Sequence, residues 1–289
     1  MFAVAAMPAL AGLNVRSAIL MDMNTGSVLY AQNADSRIPP ASLTKIMTMY
    51  VIMDQVQAGK VKLSDKVKIS PNAAKQGGSR THLKAGEKVQ LDFLLAGMAV
   101  SSGNDAAIAA AEHVAGSTRG FVRLMNAKAK KLGLKNTTFS NPHGLPAKDQ
   151  ETTARDMLTL SASYLKTHPS AMRYHSMLTL KHRGRITVNK NPLLSSCPGA
   201  DGLKTGWTIA SGYNLVSTVK RGKTRLVGVV LGSATSQIRA NEMRELVEAG
   251  FTAVRSSGKV KVDQILGRKS THVARRQNGR NSAADTSGG

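Results

Sequence analysis

Hydrophobic and polar positions change period several times along this chain, and each change marks an element. Residues 15–33 (VRSAILMDMNTGSVLYAQN) set two apolar runs about an NTG turn, which predicts a β-hairpin. In residues 38–59 (IPPASLTKIMTMYVIMDQVQAG) the prolines stop the strand, Ser42 opens a helix and Gly59 closes it. Residues 60–90 hold short pieces such as KVKIS and THLKAGEKVQ, read as brief strands and turns. Helical periodicity returns over 91–116, broken by the polar SSGND, and continues over 117–134. The polar stretch KNTTFSNPHGLPAKDQETT reads as a long loop before a helix over 154–168. Strand patterns resume in RITVNK, ADGLKTGWT, GYNLVSTVKR and TRLVGVVLGS, and a helix over 236–254 follows.

Strands near both ends, with helices between them, predict an α+β fold. We expect a mostly antiparallel sheet flanked by helices, plus a mostly helical region. The short connection VKRGKTR argues for antiparallel neighbours. No internal repeat is visible. One folded domain is expected over 14–267. Residues 268–289 are polar, basic and rich in Gly and Ser, and are expected to be a disordered tail. At the other end, FAVAAMPALA is small and apolar, and its final ALA resembles a signal-peptidase site. The basic start of an export signal is missing, so residues 1–13 read as a remnant of one. No later run reaches the ~20 apolar residues of a membrane span. The expected location is therefore periplasmic or extracellular, without a membrane-spanning segment.

Composition sharpens this picture in two places. Apolar residues make up 42 % of the 289, enough for a sizeable core, and aromatics only 4 %, which suits helix-rich packing. The formal net charge of +23 predicts attraction to a polyanion, whether nucleic acid, an acidic membrane surface or an anionic wall polymer. Scarce aromatics and the lack of a recognised binding motif argue against nucleic acid. The single cysteine, Cys197, excludes an intrachain disulfide and a cysteine metal site, and reads as a small buried hydrophobe.

Candidate chemistry begins at Ser42-Leu-Thr-Lys45. Residues three apart on a helix share a face, so hydroxyl and amine can touch. A serine hydroxyl needs a base, and lysine serves as one only if its pKa falls from ~10.4. Desolvation in an apolar neighbourhood such as IMTMYVIM, or nearby cations, would do that. The bland alternative is a lysine that snorkels out of a helix start. Two later stretches weigh against it: Ser102-Gly103-Asn104 between helices, and Lys204-Thr205-Gly206 in a strand pattern. S-x-x-K, S-x-N and K-T-G in that order mark penicillin-binding proteins and class A β-lactamases.

Together, ASLTKIMT, LKAGE, SSGNDAA, GLKNTTFSNPHGL, ARDM and DGLKTGWTIASGYNLV resemble the D-alanyl-D-alanine carboxypeptidases over residues 14–255. The resemblance implies a β-lactamase/DD-peptidase-like fold and acyl-enzyme chemistry on peptidoglycan stem peptides. It implies β-lactam antibiotics as covalent inhibitors. It makes Ser42 the nucleophile and Lys45 its base, with Ser102 and Asn104 lining the cleft. Ser102 would pass a proton to the leaving amine, and Asn104 would bond the substrate backbone. Lys204 and Thr205 would meet the substrate carboxylate. Gly206 would let the substrate backbone approach. The N–H groups of Ser42 and Trp207 would form an oxyanion hole. His143 in NPHGL either organises the cleft, orienting a deacylating water, or fixes its own loop. Asp156 is either a partner behind the site or, more simply, a first-turn acid. No cofactor is expected.

Two departures bear on substrate preference. Lys190 stands where relatives often carry a carboxylate-holding arginine, and loses the bidentate fork. Arg239 is the candidate to share that role. Trp207 replaces a smaller or polar residue. Rival readings are an endopeptidase of D-Ala cross-links, a β-lactamase, and a non-catalytic wall-binding protein. The β-lactamase lacks its E-x-x-L-N stretch here, and the intact serine and lysines argue against a relic.

Overall fold

The computed structural model describes residues 12–267. The expected hairpin forms as β1 (Ser17–Asp22) and β2 (Val28–Gln32), antiparallel about the NTG turn. Leu13, which the sequence assigns to the end of a leader, packs in the core and exchanges hydrogen bonds with Gln32. The rest of that leader and the basic tail lie outside the described residues.

After Pro39 and Pro40 the chain makes a single 3-10 turn, Ala41–Leu43, before α1 (Thr44–Gln57). Ser42 therefore sits in the turn ahead of the helix rather than opening it. Ten residues of α1 are buried, Lys45 among them, so this helix is enclosed on all sides. Then come β3 (Lys66–Lys68), α2 (Pro71–Ala74), β4 (Lys88–Gln90) and α3 (Leu91–Ala96), with β3 and β4 paired in their own small sheet. A π-helical turn over Gly97–Ser101 leads into the polar break at SSGND, where Ser102 is in the left-handed region before α4 (Asn104–Ala115). Next are α5 (Thr118–Lys131) and α6 (Ala154–Thr167), capped by the Ser117 and Thr153 hydroxyls. The loop between them runs where the sequence places it.

Downstream are α7 (Met172–His175), β5 (Thr179–His182), β6 (Arg185–Val188) and α8 (Leu193–Ser196). RITVNK forms a strand as read, but outside the main sheet. It pairs with β5 in a separate hairpin. Its side chains are mostly exposed, so it lacks the two apolar faces that a strand inside this sheet must bury. The chain closes with β7 (Ala200–Thr208), β8 (Gly212–Arg221), β9 (Thr224–Ser233) and α9 (Ser236–Arg255).

The main sheet runs β2-β1-β9-β8-β7, antiparallel throughout, so the N-terminal hairpin pairs with the last strand and β7 is an edge. Along β9, Leu226 and Val230 face Met243, Leu246 and Val247 of α9, while Val227, Val229 and Leu231 face the helical region. That two-sided burial explains the near-continuous apolar text of TRLVGVVLGS. The architecture is the predicted α+β arrangement, and it leaves the β7 edge facing the turn that carries Ser42. Cys197 is buried in the α9-side core, as read.

Candidate active site

Three separate segments converge on Lys45. Its side chain is fully buried, and its Nζ donates to Ser42 Oγ at 3.2 Å, Asn104 Oδ1 at 2.8 Å and the His143 carbonyl at 2.7 Å. All of these acceptors are neutral. Burial pushes the Lys45 pKa well below the usual lysine range, and the Lys204 and Lys190 cations push it further, against an opposing pull from Asp105. The lysine does not snorkel out.

The turn bearing Ser42 is held from two sides by glycines. Gly144, in NPHGL, has φ +88°, and a Cβ there would overlap the Ala41 carbonyl. Gly206 lies against the other side, where a Cβ would come within 3.1 Å of Ser42 N and 3.2 Å of Ala41 Cβ. The sequence reading assigns Gly206 to approach of a substrate backbone. The structure adds a closer reason: a Cβ there would crowd the Ser42 turn, which would have to give by a few tenths of an ångström. Ala41 (φ +50°) and Ser102 (φ +57°) also occupy the left-handed region, a local strain on either side of the cleft.

A cleft of about 350 Å³ opens beside Ser42. Ser102, Thr205, Gly206 and Trp207 line it, with Lys190 and Arg239 on its walls. The Ser102 hydroxyl is buried without a protein hydrogen-bond partner. Lys204 stands just behind, 1 % exposed, donating to the Thr205 carbonyl at 3.0 Å. Burial, with Lys190 and Arg239 nearby, lowers its pKa to about 7. Burial also lowers Lys190, which bonds Ser79 Oγ at 2.6 Å, and Arg239, whose guanidinium lies 5.9 Å from the Tyr213 ring centroid. Arg239 Nε is buried with no hydrogen-bond partner. No carboxylate lines this cleft among the described residues. Cationic walls with unmet donors form a receptor for an anionic group.

Of the predicted residues, His143 is one that faces elsewhere. Its carbonyl receives Lys45, but the residue lines a different cavity, beside Arg119 and Asn141, and its Nδ1 accepts from Leu145 N at 3.1 Å. Burial and the Lys45 cation depress its pKa to about 4, so the ring is neutral at pH 7. The geometry fits a residue that fixes its loop. Asp156 lies in the first turn of α6 and accepts from Asn136 N and Thr137 Oγ1, tying down the loop rather than the cleft.

Sequence reasoning missed Ser79, Tyr213 and Asp105. Ser79 lines the cleft and its carbonyl accepts from Asn104 N at 2.8 Å, but nothing in GGSRT marks it. Tyr213 lines the cleft under Arg239. Asp105 is wholly buried and accepts from Thr81 N and Leu83 N, holding the segment beyond Ser79 against α4. An acid in the buried first turn of an alanine-rich helix was the available signal.

The sequence profile of the D-alanyl-D-alanine carboxypeptidase family matches residues 4–235. The D-alanyl-D-alanine carboxypeptidase DacC of Escherichia coli is 43 % identical over 258 residues, covering 87 % of this chain and 64 % of its own length. For DacF of Bacillus subtilis the values are 41 % over 241 residues, 82 % and 62 %. The chain thus spans just under two thirds of these curated relatives. Among solved structures, penicillin binding protein 5 of Haemophilus influenzae superposes with a TM-score of 0.81 at 36 % identity, over 86 % of this chain and 73 % of that one.

Proposed function

The chain belongs to the D-alanyl-D-alanine carboxypeptidase family, and from that premise we propose that it is a serine carboxypeptidase removing the terminal D-alanine from peptidoglycan pentapeptide stems. One observation carries the reading: a fully buried Lys45, its pKa depressed, 3.2 Å from the Ser42 hydroxyl. Neutral Lys45 takes the Ser42 proton as Oγ attacks the penultimate D-alanine carbonyl. The N–H groups of Ser42 and Trp207 stabilise the oxyanion. The C–N bond then breaks, and D-alanine leaves with a proton delivered through Ser102. Water hydrolyses the Ser42 ester and regenerates the pair. Lys204, Thr205, Arg239 and Lys190 hold the terminal carboxylate, and Asn104 positions both Lys45 and the substrate backbone. β-Lactams acylate Ser42 by the same attack.

We place the enzyme outside the cytoplasmic membrane, where its substrate lies. Among the described residues no helix is long and apolar enough to cross a membrane. The +23 charge supports residence beside anionic wall polymers, and binding to wall sacculi that salt leaves unchanged would refute that part. The main test is mass spectrometry of products from a pentapeptide monomer and a D-Ala cross-linked dimer, with Ser42→Ala as control. The expected result is loss of one alanine from the monomer, absent in the variant. Cleavage of the dimer alone would move the assignment to endopeptidase. No serine-dependent product would sink the peptidase reading.

A further inference from the structure

The proposed reaction brings two distant elements together at one carbonyl. One is the turn and helix that carry Ser42 and Lys45, and the other is β7, which carries Lys204, Thr205 and Trp207. β7 is an edge strand, so β8 fixes one side of it and, among the described residues, no strand fixes the other. That free side is held in another way.

A buried histidine outside the three motifs does the holding. His175, the last residue of α7, is wholly enclosed, and its Nδ1 lies 3.1 Å from the carbonyl oxygen of Leu203, the residue before Lys204. Its Nε2 lies 3.2 Å from the hydroxyl of Tyr164 in α6, a side chain buried as deeply. Burial lowers the His175 pKa to about 4, against the pull of the Leu203 carbonyl and with help from the Lys204 cation. The ring is therefore neutral at pH 7 and carries a single N–H. A carbonyl only accepts, so that proton sits on Nδ1 and is donated to Leu203. Nε2 is then the acceptor, and the Tyr164 hydroxyl donates to it. One tautomer satisfies both bonds.

The link is anchored at both ends. The Tyr164 ring packs on Tyr50 with centroids 5.4 Å apart, and Tyr50 lies on α1, the helix of Lys45. α7 is itself fixed on α3, where the Tyr174 hydroxyl donates to Asp92 at 2.6 Å. It also packs closely on β7, since a Cβ at Gly202 would stand 3.2 Å from His175 Cβ. Tyr50, Tyr164, His175 and Leu203 thus run from the helix of the base to the strand of the cations. None of these four lines the cleft.

We propose that His175 is a positioning residue. By donating to the Leu203 carbonyl, it sets where β7 holds Thr205 and the Trp207 N–H relative to Ser42. The proposal rests on the carboxypeptidase reading. Leu203 to Trp207 is ~13 Å of extended chain, so a shift at Leu203 is carried along the strand to the oxyanion donor. That donor meets the oxygen most strongly as charge develops on it, so the loss falls on kcat more than on KM.

The test compares three substitutions in the full chain by D-alanine release from a pentapeptide. Active sites are counted by end-point labelling with a fluorescent penicillin. In His175→Asn the amide nitrogen takes the place of Nδ1, and the donor to Leu203 is kept. In His175→Gln the amide lies one bond further out, and that donor is lost. His175→Leu removes both polar atoms. In His175→Gln and His175→Leu, kcat per labelled site is expected to fall about 10- to 100-fold, the cost of a misplacement on the order of 1 Å, with KM changed by less than about threefold. His175→Asn recovers kcat to within about threefold of wild type, the remaining gap being the lost bond to Tyr164. A residue that only stabilised the fold would lower the melting temperature and the number of labelled sites, and leave kcat per site alone. If His175→Asn is no faster than His175→Gln, or kcat per site is unchanged in all three, the positioning role is overturned and the carboxypeptidase stands. The comparison of His175→Asn with His175→Gln decides the matter even where His175→Leu does not fold. No release by wild type overturns both.

Discussion

Cations at the periphery and cations in the cleft are treated differently in this molecule. At the periphery, Arg155 meets Asp35 at 2.7 and 2.9 Å, Arg225 meets Asp201 at 2.9 and 2.7 Å, and Arg221 meets Glu248. Each is a guanidinium fork on a carboxylate, exposed or partly so. In the cleft, Lys45, Lys190, Lys204 and Arg239 crowd together with hydroxyls, carbonyls and an amide for company. A carboxylate in the cleft would relieve their repulsion and raise their pKa values. It would also favour the charged form of Lys45 and neutralise the cationic walls of the cleft. The cleft keeps an electrostatic cost that the periphery avoids, and that cost sets the chemistry.

The comparison breaks most sharply at the base. Ser42→Ala or Lys45→Met should lower kcat by about 10⁵-fold or more, in the range of other nucleophile and base deletions. Lys45→Met should remain folded, because it removes a buried cation held only by neutral acceptors. Intact near-UV circular dichroism with no D-alanine release is the expected pair of results. Unfolding of the variant would contradict the account of the cost.

Stability against pH reads the same cost. The Lys204 pKa falls from 10.5 unfolded to about 7 folded, so between those values the unfolded chain binds the extra proton. Stability from this group therefore rises with pH across that window and is lowest below pH 7. Lys45 acts in the same direction. Lys204→Met should remove about 1.4 kcal/mol per pH unit from that slope, measured by denaturant titration between pH 7.5 and 9.5 as on the order of one proton less taken up on unfolding. An unchanged slope would mean that Lys204 titrates normally.

Lys190 sharpens the comparison at smaller scale. In the proposed reaction, activity requires neutral Lys45 and falls as pH drops through its folded pKa. Removing a neighbouring cation raises that pKa, so Lys190→Gln should move the acid limb of kcat to higher pH by up to about one unit. A limb that stays in place would show that the two amines do not sense each other. Smallest of all is the exposed pair of Arg37 with Glu151. Arg37→Ala should change stability by less than about 1 kcal/mol, with no change in the pH profile of activity.

Much of this was legible in the sequence, because it depends on local pattern. The three motifs, the NTG hairpin, the interruption at SSGND and strands β7 to β9 all follow from neighbours a few residues apart. The misreadings were cases where distant chain decides. RITVNK has strand chemistry, but its place in a separate hairpin depends on which faces the rest of the fold leaves uncovered. Ser42 sits in a turn instead of a helix, and Gly144 and Gly206, from two remote segments, pack against that turn.

The sequence by itself determined which residues could react: a serine three before a lysine, an S-x-N and a K-T-G, in one order. Only the tertiary structure decided that Lys45 is buried beside Ser42 with a depressed pKa. Its pKa depends on burial, on Lys204 and Lys190 across the cleft, and on the opposing pull of Asp105, all brought to it from distant parts of the chain. Desolvation and Coulomb repulsion are properties of the space around a charge, and linear sequence does not specify that space until the chain has folded.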